Sequence, residues 1–144
     1  MVYLDTSIIA AYYCPEPLSE KVEAFIIAQP QPVISSLTEI ELFSAISRKI
    51  REGQLNRADG GRIIAKFMAH VDDNFYTKLL IKPNHYKLAR DWIGQFNSSL
   101  RSFDAIHLAV TSSEGLTIIT ADENLSKSAK KFAVKTIFLK VKDK

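Results

Sequence analysis

The stretch SFDAIHLAVTSSEGLTIITADENL, residues 102–125, contains an apolar helical segment, a short apolar run and the start of a second helical segment. The run LTIIT, at residues 116–120, has the length and composition of a buried strand. Asp104 opens the helical segment before this run, and Asp122 comes two residues after it. A strand enclosed by two helices indicates an α/β unit.

The same alternation extends over the rest of the chain. Short apolar runs recur, and stretches with helical spacing separate them. Gly53 suits the C-cap of one such helix, and Pro83 ends the third run. The runs are VYLD (2–5), PVISS (32–36), YTKLLIKP (76–83), LTIIT (116–120) and VKTIFLKV (134–141). This pattern predicts an α/β domain with a mainly parallel sheet.

The composition is that of an ordinary globular protein. Of the 144 residues, 47% are hydrophobic and 24% are charged. The most apolar stretch, SIIAAYYC, is too short to span a bilayer, and no basic segment precedes an apolar one at the N-terminus. Cys14 is the only cysteine, which excludes an internal disulfide and a thiolate metal cluster. We expect a cytoplasmic protein with one domain over residues 1–144.

Positive charge is concentrated at the C-terminal end. The net charge is +3, and residues 127–144 contain one acid, Asp143, among seven lysines: Lys127, Lys130, Lys131, Lys135, Lys140, Lys142 and Lys144. The pattern is typical of a solvated helix face and a polar tail. It also fits a surface that attracts phosphate, and composition does not decide between the two interpretations.

Four acids follow strands or begin helices at places that a parallel sheet would bring together. Asp5 directly follows the first run, and Glu41 lies in the helix after the second. Asp104 and Asp122 flank the fourth run, as described above. In an open parallel sheet, ligands bind beyond the carboxyl ends of the strands. We therefore expect these carboxylates to share one edge of the sheet.

Each acid also has a purely structural interpretation, as part of a helix cap. Thr38 and Glu41 have the T-x-x-E spacing of a capping box. Asp5 and Asp122 suit the N-caps of the helices that follow them, and Asp104 suits a first helical turn. Caps alone give no reason for the acids to share an edge. The two interpretations are also compatible, because a capping carboxylate can bind a metal with its other oxygen.

Four carboxylates at one edge predict a bound cation. Like charges at close range repel and raise one another's pKa, so the cluster is costly unless it is neutralised. Carboxylate oxygens without cysteine or a histidine pair suit Mg²⁺ or Mn²⁺ better than zinc. Such ions activate water and stabilise the leaving oxygen in phosphodiester hydrolysis. The acids therefore indicate a nuclease.

Four motifs together resemble the PIN domain, and in particular the VapC-type toxin ribonucleases of toxin–antitoxin pairs. They are VYLDTS (2–7), ISSLTEIEL (34–42), SFDAIHLA (102–109) and TIITADENL (117–125), in this order and spacing. The resemblance covers essentially the whole chain. It implies a three-layer domain in which helices flank a five-stranded parallel sheet. It also implies Mg²⁺- or Mn²⁺-dependent cleavage of single-stranded RNA, a cognate antitoxin and a homodimer.

The resemblance also assigns residue roles. It makes Asp5, Glu41, Asp104 and Asp122 the catalytic, metal-binding acids. It places Thr6 and Ser7 beside metal and phosphate, with Ser7 preferred as the contact, and makes Thr120 a supporting hydroxyl.

Three neighbouring residues stay open. Glu39 also falls on the apolar arc of its helix, although the T-x-x-E-L pattern selects Glu41. Arg101 suits either a phosphate contact or a solvated charge. His107 has the spacing of a metal ligand relative to Asp104, but histidines at such positions are more often satisfied within the packing.

Other classes of protein fit less well. A response-regulator receiver needs two adjacent acids after its first strand, and a D-x-D phosphatase needs a second aspartate where Ser7 stands. The serious alternative is a non-catalytic PIN-like module that binds RNA or protein. Such a module would be marked by a lost acid, and all four acids are present.

The segment 7–28 has two interpretations. It carries two apolar helical stretches around Pro15 and Pro17. We expect either that the antitoxin docks on these helices, or that they pack on the sheet and on each other.

Overall fold

The computed structural model describes residues 1–141 of the 144-residue chain. Five strands form one sheet: β1 (Val2–Leu4), β2 (Val33–Ser35), β3 (Thr77–Leu79), β4 (Thr117–Thr120) and β5 (Thr136–Phe138). The helices are α1 (Thr6–Tyr13), α2 (Ser19–Ile27), α3 (Ser36–Arg51), α4 (Arg57–Asp72), α5 (Pro83–Ile93), α6 (Ser102–Ser113) and α7 (Glu123–Lys131). The strand order is β3-β2-β1-β4-β5, and every pairing is parallel. The predicted α/β fold with a five-stranded parallel sheet is confirmed.

The central strand β1 is buried on both faces of the sheet. Tyr3 pairs with Ile118 of β4, and both side chains belong to a core that α6 and α7 cover. Leu4 pairs with Ile119, and these two pack with α1, α2, α3 and α4 on the other face. Successive side chains of a strand point to opposite faces, so adjacent residues of β1 anchor helices on both sides. This produces the predicted three layers.

The order of the strands creates a crevice at the carboxyl edge of the sheet. From β1 the chain runs outward to β2 and β3, whereas β4 and β5 lie on the other side of β1. Ligands bind at such a reversal of strand order in open α/β sheets. Helix α1 begins one residue after β1, and α3 begins directly after β2. Their first residues are therefore held at this crevice.

The segment 7–28 packs mostly inside the molecule. Its buried side chains are Ile8, Ile9, Ala11, Cys14, Leu18, Val22 and Ile26, whereas Ile27 stays 67% exposed. Fully burying one large aliphatic side chain stabilises the fold by about 1.5–3 kcal/mol. The structure therefore favours internal packing over antitoxin docking as the reason for the apolar character of these helices.

Helix α3 begins earlier than the T-x-x-E capping box requires. Its N-cap is Ser35, whose backbone N–H donates to Thr38 Oγ1 at 3.2 Å. Thr38 thus lies in the first turn, and Glu41 lies one turn further on and takes no part in the cap. The capping-box interpretation of Thr38 and Glu41 is wrong, because the strand before them ends at Ser35 and leaves no loop. At the other end, Gly53 follows the helix with φ +77°, a left-handed conformation that glycine favours.

Residues 142–144, with Lys142, Asp143 and Lys144 of the basic end, lie outside the described residues. The lysines of α7 and of the following turn are exposed, and Lys127 pairs with Glu123 at 3.6 Å. Within residues 1–141, the helices are too short or too polar to cross a membrane. One domain over residues 1–144 stays a prediction.

Candidate active site

Three of the predicted acids line one cavity at the carboxyl edge of the sheet. The cavity has a volume of about 510 Å³, and its walls include Glu41 of α3, Asp104 of α6 and Asp122 before α7. Arg101 and Phe103 complete the wall on the α6 side. These residues come from distant parts of the chain, and the strand order brings their helix N-termini together.

The fourth acid, Asp5, is not among the residues that line this cavity, because it is buried at the end of β1. Its side chain is 3% exposed and caps α1, because Oδ1 accepts from the Ile8 N–H at 3.1 Å. Ser7 Oγ donates to the same oxygen at 2.6 Å, and Thr120 Oγ1 donates to Oδ2 at 2.5 Å. Burial raises the pKa of Asp5, although the two hydroxyls act in the opposite direction.

The hydroxyls around Asp5 also join the ends of β1 and β4. Ser7 Oγ accepts from the Ala121 N–H at 3.0 Å, and Thr120 Oγ1 accepts from the Asp122 N–H at 2.9 Å. Thr120 thus supports the Asp5 carboxylate, and its predicted role beside a metal or phosphate stays a prediction. In this structure Ser7 is hydrogen-bonded to protein groups, and its contact with metal or phosphate stays a prediction.

Glu41 is held by a chain of hydrogen bonds that starts in the centre of the sheet. Its Oε1 accepts from Thr6 Oγ1 at 2.6 Å and lies 2.5 Å from His107 Nε2. His107 Nδ1 lies 2.5 Å from the hydroxyl of Tyr3, which lies 2.8 Å from Ser35 Oγ. His107 therefore bridges the tyrosine and the glutamate with its two ring nitrogens. The network therefore fixes the orientation of the carboxylate.

The same network sets the charge state of Glu41. Burial raises the pKa of this carboxyl, but the hydrogen bond and charge of His107, together with Thr6, outweigh burial and lower the pKa. Thr6 thus orients an acid in this structure, and its predicted place beside a metal stays untested. His107 is 2% exposed with both ring nitrogens bonded, which fits packing rather than metal ligation.

Asp104 and Asp122, the outer acids of the site, differ from Asp5 and Glu41, the inner acids. Burial raises the pKa of Asp104, and the charges of Asp122 and Glu41 raise it further. Among residues 1–141, no hydrogen bond holds the Asp104 carboxylate. Asp122 caps α7 through Oδ1, which accepts from the N–H groups of Asn124 and Leu125 at 2.9 and 3.2 Å. Asp122 thus caps α7 with one oxygen and lines the cavity, and within residues 1–141 no hydrogen bond uses its other oxygen.

The donor set suits a hard divalent cation, although it is not a closed cage. Within the described residues, no three acidic, histidine or cysteine side chains are arranged closely enough to hold a metal ion. Mg²⁺ is usually held by one or two carboxylates and completes its shell with water and substrate phosphate. The bonds to Glu41 and Asp122 each use one carboxylate oxygen, and Asp104 is unbonded. The residues therefore fit such an ion chemically.

The residues that the sequence left open are also placed. Glu39 points away from the site and pairs with Lys78 at 2.9 Å, so Glu41 is the glutamate at the crevice. Arg101 lines the acidic cavity and its charge lowers the pKa of Asp104, though burial and the neighbouring acids outweigh it. Sequence reasoning missed Tyr3. A tyrosine in a short buried strand is a usable signal, because its hydroxyl needs a partner.

Comparison with known proteins gives a family and a set of similar folds. The family model of the PIN domain matches residues 2–131. A comparison with curated protein sequences finds no significant match.

Several solved structures are similar in fold. VapC20 of Mycobacterium tuberculosis, described as a sarcin–ricin loop cleaving toxin, has a TM-score of 0.71 and 16% identity, over 89% of this chain and 95% of that one. FitAcB of Neisseria gonorrhoeae has a TM-score of 0.68 and 19% identity, over 96% and 97%. VapBC2 of Rickettsia felis, bound to a fragment of its promoter DNA, has a TM-score of 0.66 and 15% identity, over 97% and 100%.

Proposed function

This chain belongs to the PIN domain family, and from that premise we propose that it is a metal-dependent endoribonuclease, the toxin of a toxin–antitoxin pair. One observation carries the proposal: Glu41, Asp104 and Asp122, from three separate helical segments, line one cavity. The buried Asp5 is linked to this region by the Thr120 hydroxyl, which bonds both the Asp5 carboxylate and the Asp122 N–H. Capping requires none of these acids to face the others. A shared cation gives a reason for the arrangement.

The proposed catalytic acids divide the work by their surroundings. Asp104, Asp122 and Glu41 would hold a divalent cation, Mg²⁺ or Mn²⁺, partly through bound water, because no three of these side chains are close enough to enclose the ion alone. His107 and Thr6 keep the Glu41 carboxylate ionised and oriented. Asp5 is proposed as the fourth acid of this site. When bound, the cation supplies a water of lowered pKa and positive charge beside the scissile phosphate. Arg101, on the wall of the same cavity, is placed to contact a phosphate oxygen.

RNA is the proposed substrate, and an antitoxin is the proposed partner. The family resemblance implies cleavage in single-stranded regions, and one structural neighbour is described as cleaving the sarcin–ricin loop. Other neighbours are toxin–antitoxin complexes. We extend these properties, with a homodimer and a cytoplasmic location, to this chain as parts of the proposal. Sequencing RNA ends after induced expression identifies the target.

Cleavage of an unstructured RNA by the purified protein tests the proposal. We expect cleavage with Mg²⁺ or Mn²⁺ and none with EDTA. Changing a group around a metal ligand costs about 10–100-fold, so Asp5→Asn or Asp104→Asn should cost about 100-fold or more in rate. Glu39→Gln is the matched control, because Glu39 is an acid of the same helix as Glu41 that pairs with Lys78.

Two results would contradict the proposal. If Asp5→Asn still cleaves RNA, in a preparation free of other nucleases, the proposed catalytic role of the acids is contradicted. Folded wild-type protein that binds RNA or an antitoxin but never cuts would leave the non-catalytic module as the better description.

A further inference from the structure

A second cavity adjoins the acidic one along α3. It has a volume of about 400 Å³, and it shares Glu41 and Phe103 with the first cavity. Its α3 wall includes Ile40, Ser44 and Arg48. Glu41 and Arg48 are seven residues apart on the helix, which is about 10 Å along its axis. A strand that crosses the acids can therefore continue directly into this second cavity.

The walls of the second cavity present apolar side chains to solvent. The side chain of Phe103, next to the half-buried Asp104, is 55% exposed, and that of Ile40, next to the half-buried Glu41, is 66% exposed. Both side chains line the cavity, so an aromatic and an aliphatic surface face a space beside the acids. Exposed aromatic rings next to a backbone-binding site are the platforms on which single-stranded bases stack.

A cation lies at the far end of the same cavity. Arg48 is exposed, and among residues 1–141 none of the ion pairs includes it. It stands in the last turn of α3 with Lys49 and Arg51. Arg101 lines the first cavity together with the acids. Each of the two cavities thus presents one arginine, as expected if consecutive phosphates of one strand pass through both.

We propose that the second cavity is a nucleobase subsite for the nucleotide next to the scissile phosphate. The base stacks on Phe103 against Ile40, and Arg48 contacts the following phosphate. A base paired within a duplex cannot reach such a platform, so the subsite selects single-stranded RNA. This inference rests on the proposed function, and it commits to RNA over a protein segment because the cavity continues from the acids and ends on a cation.

Equilibrium binding tests the subsite separately from cleavage. The probes are a labelled single-stranded uridine tetramer and an abasic tetramer of the same charge, both in EDTA. Stacking of one base on an aromatic side chain should make wild-type protein prefer the uridine probe by about fivefold or more. Phe103→Leu should lose this preference, and Phe103→Trp should keep it. Tyr86→Leu, which changes an aromatic side chain of similar exposure at 54%, should behave as wild type.

Arg48 has its own signature. Arg48→Gln should weaken binding of both probes by the same factor and reduce the slope of log affinity against log salt by about 0.7. Arg57→Gln, which removes an exposed arginine from α4, should leave the slope unchanged.

Each alternative outcome is distinguishable. A preference for the uridine probe that persists in Phe103→Leu, or that is absent from wild type, overturns the subsite. If sedimentation shows that Phe103→Leu converts a dimer into a monomer, and base preference is unchanged, then the second cavity is a contact between copies of this chain and not a base subsite. If base preference depends on Phe103 but the protein does not cleave RNA with Mn²⁺, the subsite is supported and the proposed nuclease function is contradicted. If the protein cleaves RNA but shows no base preference, the nuclease function is supported and the subsite is contradicted.

Discussion

The inner and outer acids of this site are held in different ways. Asp5 accepts hydrogen bonds from two hydroxyls and one backbone N–H, and Glu41 is bonded to Thr6 and His107. Asp104, within residues 1–141, has no such bond, and burial together with the charges of Asp122 and Glu41 raises its pKa in spite of Arg101 and His107. Buried hydrogen bonds fix the inner carboxylates before any ligand arrives. The outer carboxylate keeps its oxygens available and needs a cation.

The largest difference should be in the free energy of unfolding, when one inner acid and one outer acid are replaced in turn. Asp5→Ala leaves the buried Thr120 hydroxyl, the half-buried Ser7 hydroxyl and the Ile8 N–H without this acceptor. Each unsatisfied buried group costs about 1–3 kcal/mol. We expect a loss of about 3 kcal/mol in the free energy of unfolding, measured by urea denaturation. Asp104→Ala should change it by less than about 0.5 kcal/mol. Equal losses in the two variants would erase the distinction.

Divalent cation should act mainly on the outer acids. A ligand that binds only the folded state stabilises it by about 2.7 kcal/mol at 100 times its Kd. Mn²⁺ should therefore raise the melting temperature of the wild type, and Asp104→Asn should show a clearly smaller rise. The control Glu39→Gln should respond as wild type. An Asp104→Asn variant that is less stable without metal and equally responsive to it would mean that this acid serves only the first turn of α6.

Removing the hydroxyl of Tyr3 tests whether the buried hydrogen bonds to His107 are needed to hold Glu41. Tyr3→Phe leaves His107 Nδ1 without its partner and removes one of the partners of Ser35 Oγ, which should cost about 1–2 kcal/mol of stability. Because His107 then holds Glu41 less firmly, cleavage should slow by about 10-fold with little change in the Mn²⁺ shift. A full cleavage rate in this variant would show that the carboxylate does not need the buried network.

The smallest expected effect is in the pH dependence of stability, measured in EDTA. The pKa of Asp104 is raised by burial and by its acidic neighbours. Above its unfolded pKa of about 3.9, the folded protein therefore retains a proton that the unfolded chain has lost. Stability should fall as pH rises through this interval, and Asp104→Asn should remove that fall.

Glu41 should show the opposite slope. Although burial acts to raise its pKa, the His107 interactions lower it overall. Its contribution is present above the unfolded pKa, about 4.3, and is lost as pH falls through the folded value. Glu41→Gln should therefore be less stable than the wild type near neutral pH. Its free energy of unfolding should also decrease less than that of the wild type as the pH is lowered. Slopes of the same sign in Asp104→Asn and Glu41→Gln would contradict the assignment of inner and outer acids.

The sequence was sufficient where structure depends on local pattern. LTIIT and VYLD predict β4 and β1 because strands buried on both faces appear as short apolar runs. Asp5 and Asp122 are recognisable as caps because an N-cap is a local feature. The strand order then brings Glu41, Asp104 and Asp122 to one cavity, as the alternation of strands and helices predicts.

The sequence was insufficient where side chains from separate elements meet. The pairing of Tyr3, His107 and Glu41 joins β1, α6 and α3, and no spacing along the chain encodes it. Thr38 misled the assignment of the α3 cap, because the helix begins three residues earlier than an N-cap at Thr38 requires. The bonding of Thr6 to Glu41 was also unpredictable, since it depends on side-chain rotamers across two helices.

The seam between β1 and β4 has a consequence for how the protein is made. Asp5 and Thr120, which are hydrogen-bonded to each other, are 115 residues apart in the chain. Proteins are synthesised from the N-terminus, and contacts of such separation form late. While the chain is still on the ribosome, its first acid has no bonding partner in β4 and no crevice exists. The ribosome must therefore add the 115 residues from Asp5 to Thr120 before this part of the site can assemble.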